Sequence, residues 1–461
     1  MRRLPLFAIA VISLFAMALS CGHRSDASSD ESLPTIPDTL RVGTLYSPTS
    51  YFIYKGEDMG YEYDLMRKVL SDHNVAMEVV VAHSIDSMIV MLNDGRIDVI
   101  AYEIPITSEY KSRVLHCGRE NITHQVLVQP RGDSLITDVT QLVGRDVYVE
   151  QNSKYEYRLQ NLNNELGGGI NIHSMPQDSL ITEDLIGLIS EGKLPLTIVD
   201  SDIARLNKTY YDDIDISLAV SFPQRASWAV RTDNNLLADS INAWVSTRED
   251  ETTAKSLLKR YFEISKNRRA PGFGQAFDHK HHRISQYDHL FKRYAAQIDW
   301  DWRLLAAQGY AESQFDTAVV SWAGARGIMQ IMPATAKAYG LSLDSITDPE
   351  RNIATSVLVI RGLNRQLSKL VPDKQERLKF IIAAYNSGIG HVYDAIALAR
   401  KYGKNPEVWE SNVEEAILMK ANPEYFNDDV CRFGYFKGKQ TVNYVVEVQK
   451  IYELYQHKIP K

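Results

Sequence analysis

The feature that most limits how this chain can fold is a change in the period of its apolar residues near position 264. Before that point strand and helix patterns alternate. Leu40–Leu45 reads as a strand, and Tyr61, Leu65, Val69 and Leu70 recur at helical spacing between Gly60 and Asp72. Met77–Val81 reads as a strand, and Met88–Leu92 as a helix that turns at Asp94-Gly95 into a strand over Ile97–Ala101. A second set opens with a strand over Leu142–Val149 and includes Thr197–Asp200. Alternation of this kind builds an α/β layer architecture. Beyond residue 283 the strand patterns vanish and helical spacing runs on. The 461 residues therefore divide into an α/β body over 39–263, a polar linker over 264–283 and a mainly α body over 284–461.

Composition removes several classes of function. Lys and Arg number 51 against 58 Asp and Glu, a net charge of −7, so no general basic field is present to hold nucleic acid. Three cysteines, Cys21, Cys117 and Cys431, cannot make a disulfide framework. His279, His281 and His282 lie in the linker with no carboxylate or cysteine at ligand spacing, so neither a metal nor another cofactor is expected. Gly167-Gly168-Gly169 lacks a following Lys-Ser/Thr and reads as a turn, not a phosphate loop.

The N-terminus has its own signature. Arg2 and Arg3 precede an apolar run from Leu4 to Leu19 that is short for a spanning helix, and small residues close it. Leu19-Ser20-Cys21 resembles the acylation site of bacterial lipoproteins, with Ala18 where Leu is usual. Residues 1–21 then form a lipoprotein signal peptide and 22–38 a flexible tether, an ordinary signal peptide with an incidental cysteine being the other reading. A lipid on Cys21 would anchor the protein in the cell envelope, expectedly at the periplasmic face of the outer membrane.

The chemistry-bearing residues concentrate in the second body. As one helix, 299–316 places Leu305, Gln308, Glu312 and Phe315 on one face. Glu312 is a carboxylate on an otherwise apolar stripe. Desolvation there favours the protonated form, as a general acid requires, although a surface Glu at the stripe's edge would look the same. Gly324 and Gly327 then mark a tight connection in which main chain approaches a bulky ligand, and a new helix starts near Pro333. Downstream lies Ala383-Ala384-Tyr385-Asn386-Ser387-Gly388.

Glu312-Ser313-Gln314-Phe315, Ser321-Trp322-Ala323-Gly324-Ala325-Arg326-Gly327-Ile328-Met329-Gln330 and Ala384-Tyr385-Asn386-Ser387-Gly388 stand in the order of three motifs of the lytic transglycosylase domain (SLT, goose-lysozyme-like), with Ile328 for Leu. Gly434–Val445 resembles its last motif, and the likeness covers about 284–455. The resemblance implies a lysozyme-like fold acting on peptidoglycan glycan strands. Glu312 would be the single catalytic acid and then base, cutting the MurNAc–GlcNAc β-1,4 bond without water and leaving 1,6-anhydroMurNAc ends. It also implies that Ser313, Gln330, Tyr385, Asn386 and Tyr444 bind substrate: Gln330 and Asn386 through acetamido groups, the tyrosines by orienting Glu312 or the sugar. Trp300, Trp302 and Trp322 suit either ring stacking or core packing. Gln440 stands where Glu is usual, and Ser356 and Val359 where Gly and Tyr are common, which touches groove contacts and not the acid. Asp316, four residues after Glu312, would share its helix face ~6 Å away and so be structural. A hydrolytic muramidase and a non-catalytic wall-binding sensor lipoprotein are the competing readings.

Over about 39–263 the chain resembles the family-3 extracellular solute-binding proteins, through Arg41-Val42-Gly43, Pro48–Phe52, Gly60–Leu65, Leu92–Asp98 and Leu142–Val149. The likeness implies two α/β lobes around a ligand cleft, with Tyr51 or Phe52 as an aromatic platform and Asp200 for a ligand amine. Tyr110 stands three residues after Thr107, where the family places its anion-binding Arg, so Arg113 would have to serve through a shifted register. The expected occupant is a small wall-derived ligand with a regulatory role; a scaffold without ligand is the other reading.

Overall fold

The computed structural model describes residues 36–176, 182–264 and 283–459. The signal peptide, Cys21, nearly all of the tether and the histidine-bearing linker lie outside these residues. Asp38 onward forms one compact unit.

In the first lobe β1 (Thr39–Leu45) lies parallel to both β4 (Ala76–Ala82) and β5 (Val99–Pro105), Val42 facing Val79 on one side and Val99 on the other. Strand β12 (Gln224–Val230) adds antiparallel to β5, and β6 (Leu115–Thr123) closes the order β4-β1-β5-β12-β6. Helix α1 (Tyr61–Asp72) buries Leu65, Val69 and Leu70 of the positions its spacing predicts, and Met66 beside them, while Tyr61 is half-buried. The second lobe orders β11 (Ile214–Asp215), β7 (Gln125–Pro130), β10 (Thr197–Asp200), β8 (Asp146–Glu150) and β9 (Asn171–Met175). The chain crosses between lobes at His124 and again before Gln224. This is the two-lobed α/β architecture expected. The strand expected from Leu142 begins only at Asp146, because Asp138 caps a single 3-10 turn over Val139–Leu142 and Gly144 turns the chain at φ +79°.

Among the described residues the second body is helical, as expected, with isolated bridges around Val320–Ile331. Helix α2 (Arg248–Phe262) ends the first body. Helix α3 (Trp302–Ser313), opened by Asp301 accepting from Arg303 N at 2.9 Å, is buried from Trp302 through Glu312. It ends sooner than expected: Gln314 adopts φ +55° and its N–H closes onto Tyr310 O at 2.7 Å, so Phe315 and Asp316 leave the helix. Helix α4 (Pro333–Ala338) starts with Pro333 in its first turn. Helix α5 (Pro349–Leu367) packs on α6 (Lys374–Ser387), which meets α7 (Ile389–Lys401) at Gly388. The last helix, α8 (Gly438–Lys458), packs along α3.

The two bodies share an apolar cluster. Met59, Phe52 and Tyr261 from the first meet Ala325, Met332 and Trp322 from the second. Arg260 fixes the contact by donating to the carbonyls of Trp322 at 3.0 Å and Ala323 at 2.9 Å.

Candidate active site

The last turn of α3 delivers Glu312 to the floor of a cavity of about 450 Å3 with only 2% of the residue exposed. Helix α8 forms one wall: Gln440, Asn443, Tyr444 and Glu447 recur at spacings of three and four and line the cavity together. The Tyr444 hydroxyl donates to Glu312 Oε1 at 2.7 Å. Asn386, near the end of α6, also lines the cavity beside α8, its Oδ1 accepting from Thr441 Oγ1 at 2.7 Å. Tyr385 lies beneath, its hydroxyl donating to Met329 O at 2.8 Å; burial, then the Glu312 charge, push that hydroxyl well above the usual phenol range.

The structure thus brings Glu312, Tyr385, Asn386 and Tyr444 together. It uses Ser313 and Gln330 differently from the expectation. Ser313 Oγ donates to Ile328 O at 2.8 Å and pins the following loop to α3. Gln330 is 1% exposed at φ +49°, and its amide donates to Gly327 O at 2.9 Å and Val319 O at 3.2 Å, which holds the turn instead of facing the cavity. Gly327 serves the protein's own packing as well: a Cβ there would meet Ile346 O at 2.6 Å and the Asn352 amide at 2.5 Å, so the close approach is to main chain and Asn352 and not to a ligand. Asp316 is exposed and accepts from Ala318 N at 2.8 Å; it shares no helix face with Glu312. Trp302 is core, whereas Trp322 lines the cavity, with the Tyr54 ring 5.4 Å from it. Ser356 is fully buried, with its hydroxyl on Ile353 O, and Val359 packs on the core, so neither faces the groove.

Sequence reasoning missed the other body's share of this site. Hairpin strands β2 (Phe52–Tyr54) and β3 (Glu57–Met59) carry their tip into the cavity mouth. Lys55 Nζ lies 3.5 Å from Glu312 Oε2 and 5.8 Å from the centre of the Tyr385 ring. Lys55 N donates to Ser387 O at 3.1 Å, and Ala334 N donates to Glu57 Oε1 at 3.1 Å. Gly388, at φ +93°, makes room: a Cβ would stand 2.8 Å from Gly56 N. His391 Nε2 pairs with Ile53 O at 2.8 Å, while its Nδ1 faces the buried Lys420, itself paired with Asp394. Burial and that ammonium hold the His391 imidazole well below its usual range, so it is neutral and Nε2 carries the proton. Lys437, Lys439, Asn443 and Glu447 also line the cavity. The α8 stripe was available from spacing; Lys55 had no signal, standing 257 residues from Glu312.

In the first body the expected cleft residues separate. Tyr51 stacks on Tyr46 and donates to Asp58 at 2.8 Å, and Phe52 packs on Tyr261. Arg113 pairs with Asp86 at 2.8 Å, while Asp200 pairs with Lys154 and Tyr155. A cavity of about 240 Å3 lies instead beside Glu62, Glu103, Arg119 and Trp228. Burial, with Glu62, Asp202 and Asp200 nearby, raises Glu103 to about 8, and burial raises Glu62 to about 7 against the Trp228 indole that donates to it. No cluster of His, Cys, Asp and Glu among the described residues is arranged to hold a metal ion.

Two family models match this chain: bacterial extracellular solute-binding proteins, family 3, over residues 40–264, and the transglycosylase SLT domain over 289–408. With the cavity around Glu312, they define an SLT transglycosylase carrying a solute-binding-like body. The chain belongs to the family of membrane-bound lytic murein transglycosylase F. The protein of that name from Pseudomonas fluorescens is 30% identical over 421 residues, covering 90% of this chain and 84% of its own length. Its namesake from Desulfosudis oleivorans is 29% identical over 417 residues, covering 90% of each. Among solved structures, the L-cystine solute receptor of Neisseria gonorrhoeae aligns at 19% identity and TM-score 0.42 over 50% of this chain and 95% of its own.

Proposed function

We propose that this enzyme cuts the MurNAc–GlcNAc β-1,4 bond of peptidoglycan without water and leaves 1,6-anhydroMurNAc ends. The observation that carries the reading is a buried carboxylate lining a cavity, with the Tyr444 hydroxyl on one oxygen and the Lys55 ammonium on the other. Tyr444 hydrogen-bonds Oε1 and Lys55 stands 3.5 Å from Oε2, so Oε2 meets the substrate once Lys55 has withdrawn. Glu312 gives its proton from Oε2 to the glycosidic oxygen, and the C1–O4 bond breaks. The resulting carboxylate takes the proton of the muramyl C6 hydroxyl while that oxygen bonds to C1. The proton count returns to its start, no water is consumed and no protein nucleophile is needed. In this reading Asn386, which lines the cavity, holds an acetamido group.

In the docked arrangement Lys55 occupies the Oε2 side, so a glycan strand enters only after the hairpin tip withdraws. The solute-binding-like body is then the regulatory half, and a small wall-derived ligand that reshapes its lobes would release the tip. A lipid on Cys21 anchors the chain at the periplasmic face of the outer membrane in this reading; no helix among the described residues is long and apolar enough to span a membrane. Replacing Cys21 with Ser should move the protein from the membrane to the soluble fraction on cell fractionation.

The test of the chemistry is digestion of purified sacculi followed by mass spectrometry. Anhydro-ended muropeptides are expected from the wild type, and Glu312→Gln should release none while melting like the wild type. Reducing ends in place of anhydro ends would make the enzyme a muramidase. The second carboxylate in the cavity, Glu447, is the group that would then have to position water.

A further inference from the structure

Lys437 and Lys439 stand at the start of α8 and line the same cavity as Glu312, yet each is engaged by a carboxylate of the other body. Lys437 Nζ lies 3.6 Å from Glu183 and donates to Asn207 Oδ1 at 2.8 Å. The Glu183 carboxylate also receives the Tyr435 hydroxyl, at 3.1 and 3.0 Å to its two oxygens. Lys439 Nζ donates to Glu191 at 2.8 Å, and hydrogen bonds from Lys193 and Lys439 draw that carboxyl down to about 2. Two ammonium groups at the positive end of a 21-residue helix make a seat for carboxylates, and here the seat is filled from within the chain.

We infer that Lys437 and Lys439 read the carboxylates of the peptide stems that hang from the glycan strand, and that Glu183 and Glu191 stand in for those carboxylates while the two bodies are docked. The inference rests on the peptidoglycan reading above. Amidated muramic acid and N-acetylglucosamine carry no charge, so the stems supply the anions of this substrate. Lys437 precedes Tyr444 by seven residues, about 10 Å along the helix axis. A stem extended at about 3.3 Å per residue covers that span in three residues.

The test compares kcat/KM on two glycans, peptide-bearing strands and strands stripped of stems by an amidase and then capped at the freed lactyl carboxyl as the methylamide, using the full chain. The ratio of the two values cancels any change in the fraction of molecules that are undocked. Lys437→Gln and Lys439→Gln should each lower the ratio about tenfold, mainly through KM on the peptide-bearing strands, as expected for loss of a charge-assisted hydrogen bond. Glu183→Gln and Glu191→Gln should change both rates together and leave the ratio as it was. An unchanged ratio in both lysine variants overturns the inference. Should Lys437→Gln fail to fold, Lys439→Gln decides alone, since that side chain is 48% exposed. Absence of anhydro products from either glycan with the wild type defeats the proposed reaction itself, a different failure.

Discussion

The two oxygens of Glu312 have different neighbours, Tyr444 on Oε1 and Lys55 on Oε2, and each neighbour can be tested by removing it. Tyr444→Phe takes away a hydrogen bond to a buried carboxylate, an interaction of about 1.5–3 kcal/mol. If it is felt in the transition state, kcat should fall about 10- to 100-fold, read from the release of soluble muropeptides, with a lower melting temperature because a buried acceptor loses its donor. Lys55→Ala removes the ammonium at the cavity mouth while keeping the hairpin backbone, so the full chain should digest sacculi several-fold faster, measured as loss of turbidity. Glu312, Tyr385, Asn386 and Tyr444 were legible in the sequence because their motifs fix both residue type and order. Gln330 and Ser313 belong to the same motifs but shape the loop, and residue type cannot separate a hydrogen bond to main chain from one to sugar.

At the level of elements, the loop between α3 and α4 is held from below by α5. Asn352, fully buried, accepts from Met329 N at 2.8 Å and donates to Ile346 O at 2.6 Å and Arg326 O at 3.2 Å. Asn352→Ala leaves these main-chain groups unpaired and should cost about 2–4 kcal/mol, seen as a lower denaturant midpoint. The strands at Thr39–Leu45, Ala76–Ala82, Val99–Pro105 and Thr197–Asp200 were readable within a few residues, since a sheet buried on both faces demands continuous apolar runs; Leu115–Thr123, Gln125–Pro130 and Gln224–Val230 were not read. The end of α3 was not: apolar periodicity continues through Phe315, and only the left-handed turn at Gln314 stops the helix. Hairpin β2–β3 was hidden for another reason. Three-residue strands carry no period, and what fixes them is the surface of the other body.

Across the whole molecule, the buried acids of the first body make stability depend on pH. Burial raises Glu62 to about 7 and Glu103 to about 8, both from an unfolded value of 4.5. A raised carboxyl favours the folded state when protonated, so this contribution is complete below about 4.5 and is lost as pH climbs through 7 and 8. The thermal midpoint of the first body should therefore fall between pH 5 and pH 8 in a scanning-fluorimetry series, and Glu103→Gln should flatten that slope. That α/β architecture gives way to a mainly α one was legible from the change of apolar period. The mutual docking of the two bodies was not, because a side chain such as Arg260, which donates to the Trp322 carbonyl across the seam, looks like an ordinary surface residue in the sequence.

The turn at Gly388 has a consequence for inheritance. Its bare backbone is what lets Lys55 and Gly56 settle against Ser387, so one half of the gene restrains what the other can become. A graft that brought in a foreign first half with a longer hairpin would collide at that turn, and a side chain at 388 would evict the native one. The halves of this protein are therefore expected to be exchanged between lineages as a matched pair.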